Sequence, residues 1–310
     1  MARGPWASID ALAATSDGVL VAGAESSKRA QSEPFVAAFE ADGRERYRIT
    51  LAEPRSTTTP PRARAVALAA TPSGDAYVVS TATRVGGTGA VVLSLVDAHG
   101  RLRFSTSVEL SILAEPSRAL SLLVAELGPT GEPLQARLLG PPSARLSVSD
   151  VAVASAGLLV TGEYEGPPIE LGKVALCELE GGMPEPEPRT FHELGGGPHC
   201  ACRRDRRDLF LLALDASLEP RWATTLALGG PTPRVTAGAR GEILWAAESS
   251  GSTATHGSTA DPSRELWLWS LDAAGTVSAR RGAPGGLSQM TAGPGAVYLS
   301  DQRVLRKIKW

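Results

Sequence analysis

The sequence predicts an all-β fold of many short antiparallel strands, and three observations carry this prediction. Glycine (33 residues) and proline (23 residues) are frequent and spread along the 310-residue chain, which indicates many tight turns. Short runs alternate between apolar and polar residues, as strands with one buried face do. Hydrophobic residues make up 43% and charged residues 21%, so the chain can bury a sizeable core.

A two-part pattern recurs along the chain. Its front half is an apolar strand, a glycine-containing turn and a second strand, at 11–23, 67–80, 151–164, 235–248 and 290–301. Its back half is a strand, a turn with a small or acidic residue and usually glycine, and a second strand, at 35–51, 91–108, 122–139, 209–226 and 266–282. No front half is recognisable before residue 120, so the back half at 122–139 is assigned to a degenerate third unit.

The turns of these hairpins have a simple chemical explanation. Glycine adopts a positive φ at little cost, which such turns require, and we expect this at Gly18, Gly43, Gly74, Gly100 and Gly275. A short carboxylate in or before a turn accepts hydrogen bonds from its backbone amides, and we assign this role to Asp42, Asp97, Asp215 and Asp272. The acidic residues of the repeat are therefore interpreted as structural and not as catalytic.

Two hairpins per unit give a four-stranded antiparallel sheet with two faces to bury, and radial packing of several such sheets covers them. The sequence thus predicts a β-propeller of about six four-stranded blades in one domain, 1–310. Five or seven blades are the alternatives, because the third unit is hard to count. We expect the strands at 296–300 and 303–310 to pair with an N-terminal strand around 4–8. That pairing would close the ring and remove two free sheet edges.

The fourth unit carries a resemblance to a known repeat family. It reads LLVTGEYEGPPIELG at 158–172 and DLFLLALDASLEPRWATTLALGG at 208–230. This order of strand, Thr-Gly, loop and strand-turn-strand with tryptophan resembles SBBP β-propeller repeats of secreted and surface proteins of myxobacteria and related Gram-negative bacteria. The motif tryptophan stands only at Trp222; Tyr47 and Phe104 replace it elsewhere, and the third and fifth units have neither.

The resemblance implies a propeller fold and supplies no catalytic residues, because the family motif is structural. It also implies an extracytoplasmic setting, in the periplasm or at the cell surface, for a mature chain that lacks its leader. A cytoplasmic protein is the alternative, since the N-terminus has no apolar signal-peptide segment.

A long insert at about 165–207 interrupts the repeat and holds all three cysteines, Cys177, Cys200 and Cys202. One interpretation is a disulfide from Cys177 to Cys200 or Cys202 that staples the insert. A second is a zinc site formed by the cysteines and His199, although His-Cys-x-Cys is tighter than the usual Cys-x-x-Cys. The third is free or buried cysteines in an irregular loop.

Two further groups are candidate binding residues. Arg203 and Arg204 begin the run RRDRRD, which is either a contact for an anion or partner or a solvated loop that balances its own charge. Trp267 and Trp269 share one strand face by spacing. Exposed, they would bind sugar or a protein; buried, they would pack between blades.

Composition and the absence of common motifs argue against several classes of function. A net charge of −2 supplies no basic face for nucleic acid, and no 18-residue apolar stretch predicts a membrane span. The sequence contains none of the common nucleophile, zinc-protease, P-loop or dinucleotide motifs. We therefore expect a non-enzymatic binding or scaffold propeller without a cofactor, whose partner is a protein or a glycan. The alternatives are a subunit of a larger assembly, and a hydrolase or lyase with its site in the central channel.

Overall fold

A computed structural model gives the fold of most of the chain. It describes residues 6–26, 32–52, 64–71, 73–83, 90–96, 102–109, 120–140, 145–155, 157–165, 169–171, 174–176, 189–191, 207–226, 232–238, 240–249, 265–284, 286–293, 296–301 and 304–309. Every regular element in these residues is a β-strand. The chain divides into two compact units, Met1–Val148 and Ser149–Trp310.

The strands are short, as the alternating pattern predicted. The first unit holds β1 (Trp6–Ala14), β2 (Gly18–Ser26), β3 (Ser32–Glu40), β4 (Glu45–Ala52), β5 (Arg64–Ala70), β6 (Ala76–Thr83), β7 (Ala90–Val96), β8 (Leu102–Glu109), β9 (Leu120–Leu127) and β10 (Pro133–Leu139). The unit boundary falls within β11 (Arg145–Ala154). The second unit continues with β12 (Gly157–Glu165), β13 (Ile169–Leu171), β14 (Val174–Leu176), β15 (Arg189–Phe191), β16 (Arg207–Leu214), β17 (Pro220–Leu226), β18 (Arg234–Ala237), β19 (Ile243–Ser249), β20 (Glu265–Leu271), β21 (Val277–Pro284), β22 (Gln289–Gly293), β23 (Ala296–Ser300) and β24 (Leu305–Lys309).

The strands form consecutive antiparallel sheets of the kind that β-propellers use as blades. In the first unit, blade 1 is β1-β2-β3-β4 and blade 2 is β5-β6-β9-β10. In the second unit, blade 3 is β11-β12-β16-β17, blade 4 is β18-β19-β20-β21 and blade 5 is β22-β23-β24. The predicted all-β chain built of propeller-type blades is confirmed.

The predicted count of about six blades is not matched, because the described strands form five. The hairpin β9–β10, assigned from sequence to a degenerate third unit, belongs to blade 2: β6 pairs with β9 over its full length, from Ala76↔Leu127 to Thr83↔Leu120. The hairpin β7–β8 instead extends blade 1, where Thr50 of β4 pairs with Val96. Both hairpins carry the same local pattern, so only long-range pairing decides which one completes blade 2.

The predicted closure by the terminal strands is also not matched. β1 is the first strand of a complete blade and pairs with β2 from Trp6↔Glu25 to Ala14↔Val19. β24 pairs with β23 at the edge of the last sheet. The expectation of one domain over 1–310 stays a prediction.

Neighbouring blades of each unit bury apolar faces, because alternate side chains of a strand point to opposite faces. In the first unit, Leu20 and Val36 of blade 1 share a cluster with Leu68 and Val78 of blade 2. In the second unit, β19 contributes to two clusters: Ile243, Trp245 and Ala247 pack with blade 3, and Leu244 and Ala246 pack with blade 5.

One five-residue turn recurs throughout the fold. At 40–44, 71–75, 128–132, 215–219, 238–242 and 272–276, the first residue donates its amide to the fifth carbonyl and its carbonyl accepts the fourth amide. The fourth residue has a positive φ, as predicted for Gly43 (85°), Gly74 (96°) and Gly275 (79°). Gly100 lies outside the described residues. The prediction is wrong for Gly18, which has no positive φ and is the first residue of β2. Glycine is required there by close approach, because a Cβ would lie 1.9 Å from the carbonyl oxygen of Phe39.

Leu218 occupies the fourth position of one such turn with φ 58° and no exposed surface. A left-handed conformation costs a non-glycine residue about 1–2 kcal/mol. Burial of a leucine side chain contributes about 1.5–3 kcal/mol, which offsets that cost. Packing therefore selects leucine at a turn position that local geometry assigns to glycine.

In the part of the chain that the structure describes, no helix has the length and apolar character needed to cross a membrane.

Candidate functional site

The two ends of the blades differ in the length of their connections. In an up-and-down blade, the first–second and third–fourth connections lie at one end, and the second–third connection lies at the other. The first end holds the recurring five-residue turns, together with the short turn in which Thr15 donates its amide to the carbonyl of Gly18. We call it the tight-turn end.

The opposite end, which we call the long-connection end, carries the extended connections. Between the second and third strands of blades 1 to 4 the chain runs through 27–31, 84–119, 166–206 and 250–264. Blades 1 and 5 are exceptions, because 27–31 has only five residues and because in blade 5 the Asp301 amide donates to the Val304 carbonyl at 3.1 Å. Variation in length is therefore concentrated at one end of the blades of each unit, while the other end repeats one turn.

The predicted insert is the longest of these connections. β12 ends at Glu165 and β16 begins at Arg207. The hairpin β13–β14 buries Leu171 and Val174, and β15 adds a short strand to the outer edge of β17. The base of the insert is thus fixed to blade 3 by packing and by strand pairing.

The side chains for which the insert was singled out lie outside the described residues: Cys177, His199, Cys200, Cys202, Arg203 and Arg204. The disulfide, the zinc site, the free thiols and the arginine contact accordingly stay predictions.

The predicted tryptophan pair, Trp267 and Trp269, lies at the packed interface between blades 3 and 4. We call such an interface between neighbouring blades a seam. Trp269 is fully buried, with its ring centroid 5.4 Å from that of Trp245, and Trp267 is half-buried against the same cluster. Their shared face is therefore the face that packs on blade 3. Trp267 alone of the two keeps exposed surface for a ligand.

A short chain of hydrogen bonds crosses this seam. The Trp245 indole Nε1 donates to the Thr161 hydroxyl at 2.9 Å, and that hydroxyl donates to the Phe210 carbonyl at 2.6 Å. The Trp222 indole donates to the Ala273 carbonyl at 3.0 Å, from blade 3 to the turn of blade 4. Trp222, the tryptophan of the repeat pattern, therefore links blade 3 to blade 4 by a hydrogen bond.

Three of the four acidic residues of the repeat accept the turn amides predicted for them. The Asp215 carboxylate accepts the amides of Ser217 and Glu219, and the Asp272 carboxylate accepts those of Ala274 and Thr276. Asp42 accepts the amide of Arg44 at 2.9 Å. Asp97 lies outside the described residues.

A partly buried carboxylate that was not predicted from the sequence lies at the seam of blades 3 and 4. Asp150 accepts the amides of Val151 (3.0 Å) and of Val235 (3.1 Å), the latter in the first strand of blade 4. Desolvation by burial raises the pKa of Asp150, against the lowering effects of these amide bonds and of the nearby Arg234 guanidinium. An aspartate directly before a front half was the available signal, but among the aligned residues only Asp10 is also acidic, whereas Val66, Arg234 and Gln289 are not.

A second missed carboxylate joins blades 4 and 5. Glu248, at the end of β19, is 3% exposed and accepts the amide of Leu287, which precedes β22. Both seams of the second unit therefore contain an acid that accepts a backbone amide of the next blade. These two acids act in packing between blades.

Among the described residues, no group of three or more histidine, cysteine, aspartate or glutamate side chains is placed to hold a metal ion. No family model matches the sequence, and no curated protein shows significant similarity to it.

Proposed function

We propose that the protein is a non-enzymatic binding or scaffold propeller whose partner, a protein or a glycan, contacts the long-connection end of the blades of the second unit. One observation carries the proposal: the connections differ widely in length at that end, whereas the tight-turn end repeats one five-residue turn. Loops on a rigid scaffold are where proteins place recognition.

The blades are suited to hold such loops. The strands that bracket the insert, β12 and β16, pair without interruption from Leu158↔Leu214 to Glu165↔Arg207. Their apolar side chains between these ends are buried on both faces, with Leu159 on one face and Leu212 on the other. A loop held at both ends by such a sheet loses less freedom on binding than a loop on a mobile support.

The setting is proposed to be the periplasm or the cell surface. The resemblance of residues 158–172 and 208–230 to SBBP repeats supports this setting. A disulfide among Cys177, Cys200 and Cys202 is proposed to go with it, since disulfides form in oxidising compartments. Zinc at these cysteines and His199 is the alternative for the insert. Intact mass before and after thiol alkylation separates the two, because a disulfide removes two alkylation sites and a metal removes none after denaturation.

Loop replacement tests the binding proposal. One variant replaces residues 192–206 by a glycine-serine linker of equal length, and a second replaces 250–264 in the same way. The matched control extends the tight turn at 215–219 by glycine and serine. Partners are recovered from a cell-surface extract by crosslinking and from a glycan array, then remeasured with the purified partner by calorimetry.

We expect at least one long-connection variant to lose about tenfold or more in affinity, which corresponds to about 1.4 kcal/mol. The tight-turn variant should bind as the wild type does. Loss of binding in the tight-turn variant alone would overturn the proposal, provided that all variants keep the wild-type unfolding midpoint. Turnover of a captured glycan would favour the hydrolase or lyase alternative instead.

A further inference from the structure

Blade 5 differs from the four other blades in strand number. Blades 1 to 4 each contain at least four antiparallel strands, whereas blade 5 contains β22, β23 and β24. β24 is the third strand and lies at the edge of the sheet. The position of a fourth strand is open in the described part of this blade.

The turn before β24 fixes which backbone groups face that open edge. Asp301 donates its amide to the Val304 carbonyl at 3.1 Å, so these two residues form a hydrogen-bonded pair. Hydrogen-bonded and non-bonded pairs alternate along an antiparallel ladder. Given the register Leu299↔Arg306 and Tyr298↔Lys307, the backbone groups of Leu305 and Lys307 point away from β23. The Lys309 carbonyl confirms this direction, because it accepts Arg281 Nη1 of β21 at 2.7 Å.

The side chains of β24 separate into an anchored and an exposed set. Ile308 packs on the cluster shared with blade 4, and Arg306 forms an ion pair with Asp301 at 3.2 Å. On the opposite face, Leu305 is 70% exposed, and Lys307 and Lys309 are exposed as well. The open edge thus presents one apolar and two basic side chains at every second position.

The charges select the occupant of this edge. In an antiparallel pairing of two copies of β24 centred on Lys307, one Lys307 would lie opposite the other, and each Lys309 would lie opposite a leucine. Like charges directly opposite each other destabilise a strand pair, so a second copy is disfavoured. Acidic residues two positions apart would meet both lysines, and an apolar residue two positions further would meet Leu305.

We propose that β24 accepts a fourth strand from a partner protein, an extended segment of pattern acid-x-acid-x-apolar that pairs antiparallel with Leu305 and Lys307 and places its first acid beside the Lys309 side chain. Backbone hydrogen bonds to Leu305 and Lys307 supply affinity and the two lysines supply selectivity, as in other cases of strand addition. The inference rests on the proposed binding function and assigns it a second contact, on blade 5.

A synthetic peptide tests this pairing. The probe is Thr-Glu-Val-Glu-Thr-Val-Thr-Ser with a fluorescent label, and the control peptide is N-methylated at its second glutamate, which keeps the charge and removes one backbone donor. Anisotropy titrations use the full chain as wild type, Lys307→Ala and Lys307→Pro. Proline fits here because the Lys307 amide points to the open edge, so the ladder with β23 stays intact.

We expect Lys307→Ala to weaken binding by about threefold, the order of one exposed ion pair. Lys307→Pro should weaken it by at least a further tenfold, and so should the methylated peptide, because both remove backbone hydrogen bonds. Equal binding by the alanine and proline variants, or by both peptides, would show attraction by charge alone and overturn strand addition.

Amide hydrogen exchange gives a second, independent test of strand addition at β24. Without peptide, the Leu305 and Lys307 amides should exchange quickly while those of Arg306 and Ile308 are protected by β23; with peptide, all four should be protected. Protection of Leu305 and Lys307 in the free protein would also overturn the inference, because the edge would already be filled. If strand addition fails while the long-connection variants still lose their partner, the proposed function stands without it.

Discussion

Blades 4 and 5 are neighbours in the second unit and share one hydrophobic cluster, yet they differ in strand number and in the burial of their two faces. Blade 4 has four strands and buries both faces, with Trp245 and Trp269 towards blade 3 and Leu244 and Leu268 towards blade 5. Blade 5 has three strands, and its second face carries exposed side chains such as Thr291 and Lys307. Burial on both faces makes a blade part of the scaffold, whereas a blade with one exposed face and an open edge keeps surface for contacts.

The largest expected effect comes from removing an aromatic side chain of blade 4. Trp245→Ala should lower the free energy of unfolding by about 3–5 kcal/mol, because it opens a cavity and breaks the bond to Thr161. Met290→Ala, at a half-buried position of blade 5, should cost clearly less. Urea unfolding measures both, and Leu134→Ala, at an exposed position, is the control. Equal losses at Trp245 and Met290 would remove the distinction between the two blades.

The seam between blades 4 and 5 is tested at Glu248. Glu248→Ala should cost about 1–3 kcal/mol, because it leaves the buried amide of Leu287 without its acceptor. Glu248→Gln retains an acceptor oxygen and should cost less. Exchange of the β22 and β23 amides should accelerate in the alanine variant while those of β16 and β17 do not change. Uniform acceleration across all these strands would mean that the two blades open together.

Two matched substitutions separate hydrogen bonding from size within blade 4. Trp245→Phe removes the donor to Thr161, whereas the Trp269 Nε1 is buried without a hydrogen-bond partner among the described residues. Trp245→Phe and Trp269→Phe remove the same atoms, but only the first breaks a hydrogen bond. Trp245→Phe should therefore be the more destabilising of the two, by about 1 kcal/mol. Thermal unfolding at several urea concentrations measures the difference. A larger loss at Trp269 would show that ring packing and not the hydrogen bond dominates.

The smallest expected effect is a pH dependence at the other seam of blade 4. Burial raises the pKa of Asp150 above its unfolded value, so its protonated form favours the folded state. The stability from this group is complete below the unfolded pKa, near 3.8, and is lost as pH rises through the folded pKa. Asp150→Asn removes this change, so the free energy of unfolding of the variant minus that of the wild type should increase with pH across this window. A flat difference from pH 3.5 to 7 would contradict the assignment.

The local features of the fold could be predicted from the sequence because they depend on residues close in the chain. Alternation placed the strands, and glycine and aspartate placed turns such as those at Asp215 and Asp272, where a carboxylate accepts amides two and four residues away. The insert was recognised by its departure from the repeat. Its cysteines, His199 and the two arginines were identified by residue type alone, and their pairing stays a prediction.

Only the tertiary structure decided which strands pair and which side chains join neighbouring blades, because the local sequence pattern does not determine these long-range contacts. The hairpins at β7–β8 and β9–β10 read alike, and the full-length pairing of β6 with β9 made five blades instead of six. Asp150 and Glu248 became junctions because packing buried them beside the amides of Val235 and Leu287. The open edge of β24 likewise follows from strand order, since a sequence determines the side chains of a strand but not which of its backbone groups find a partner.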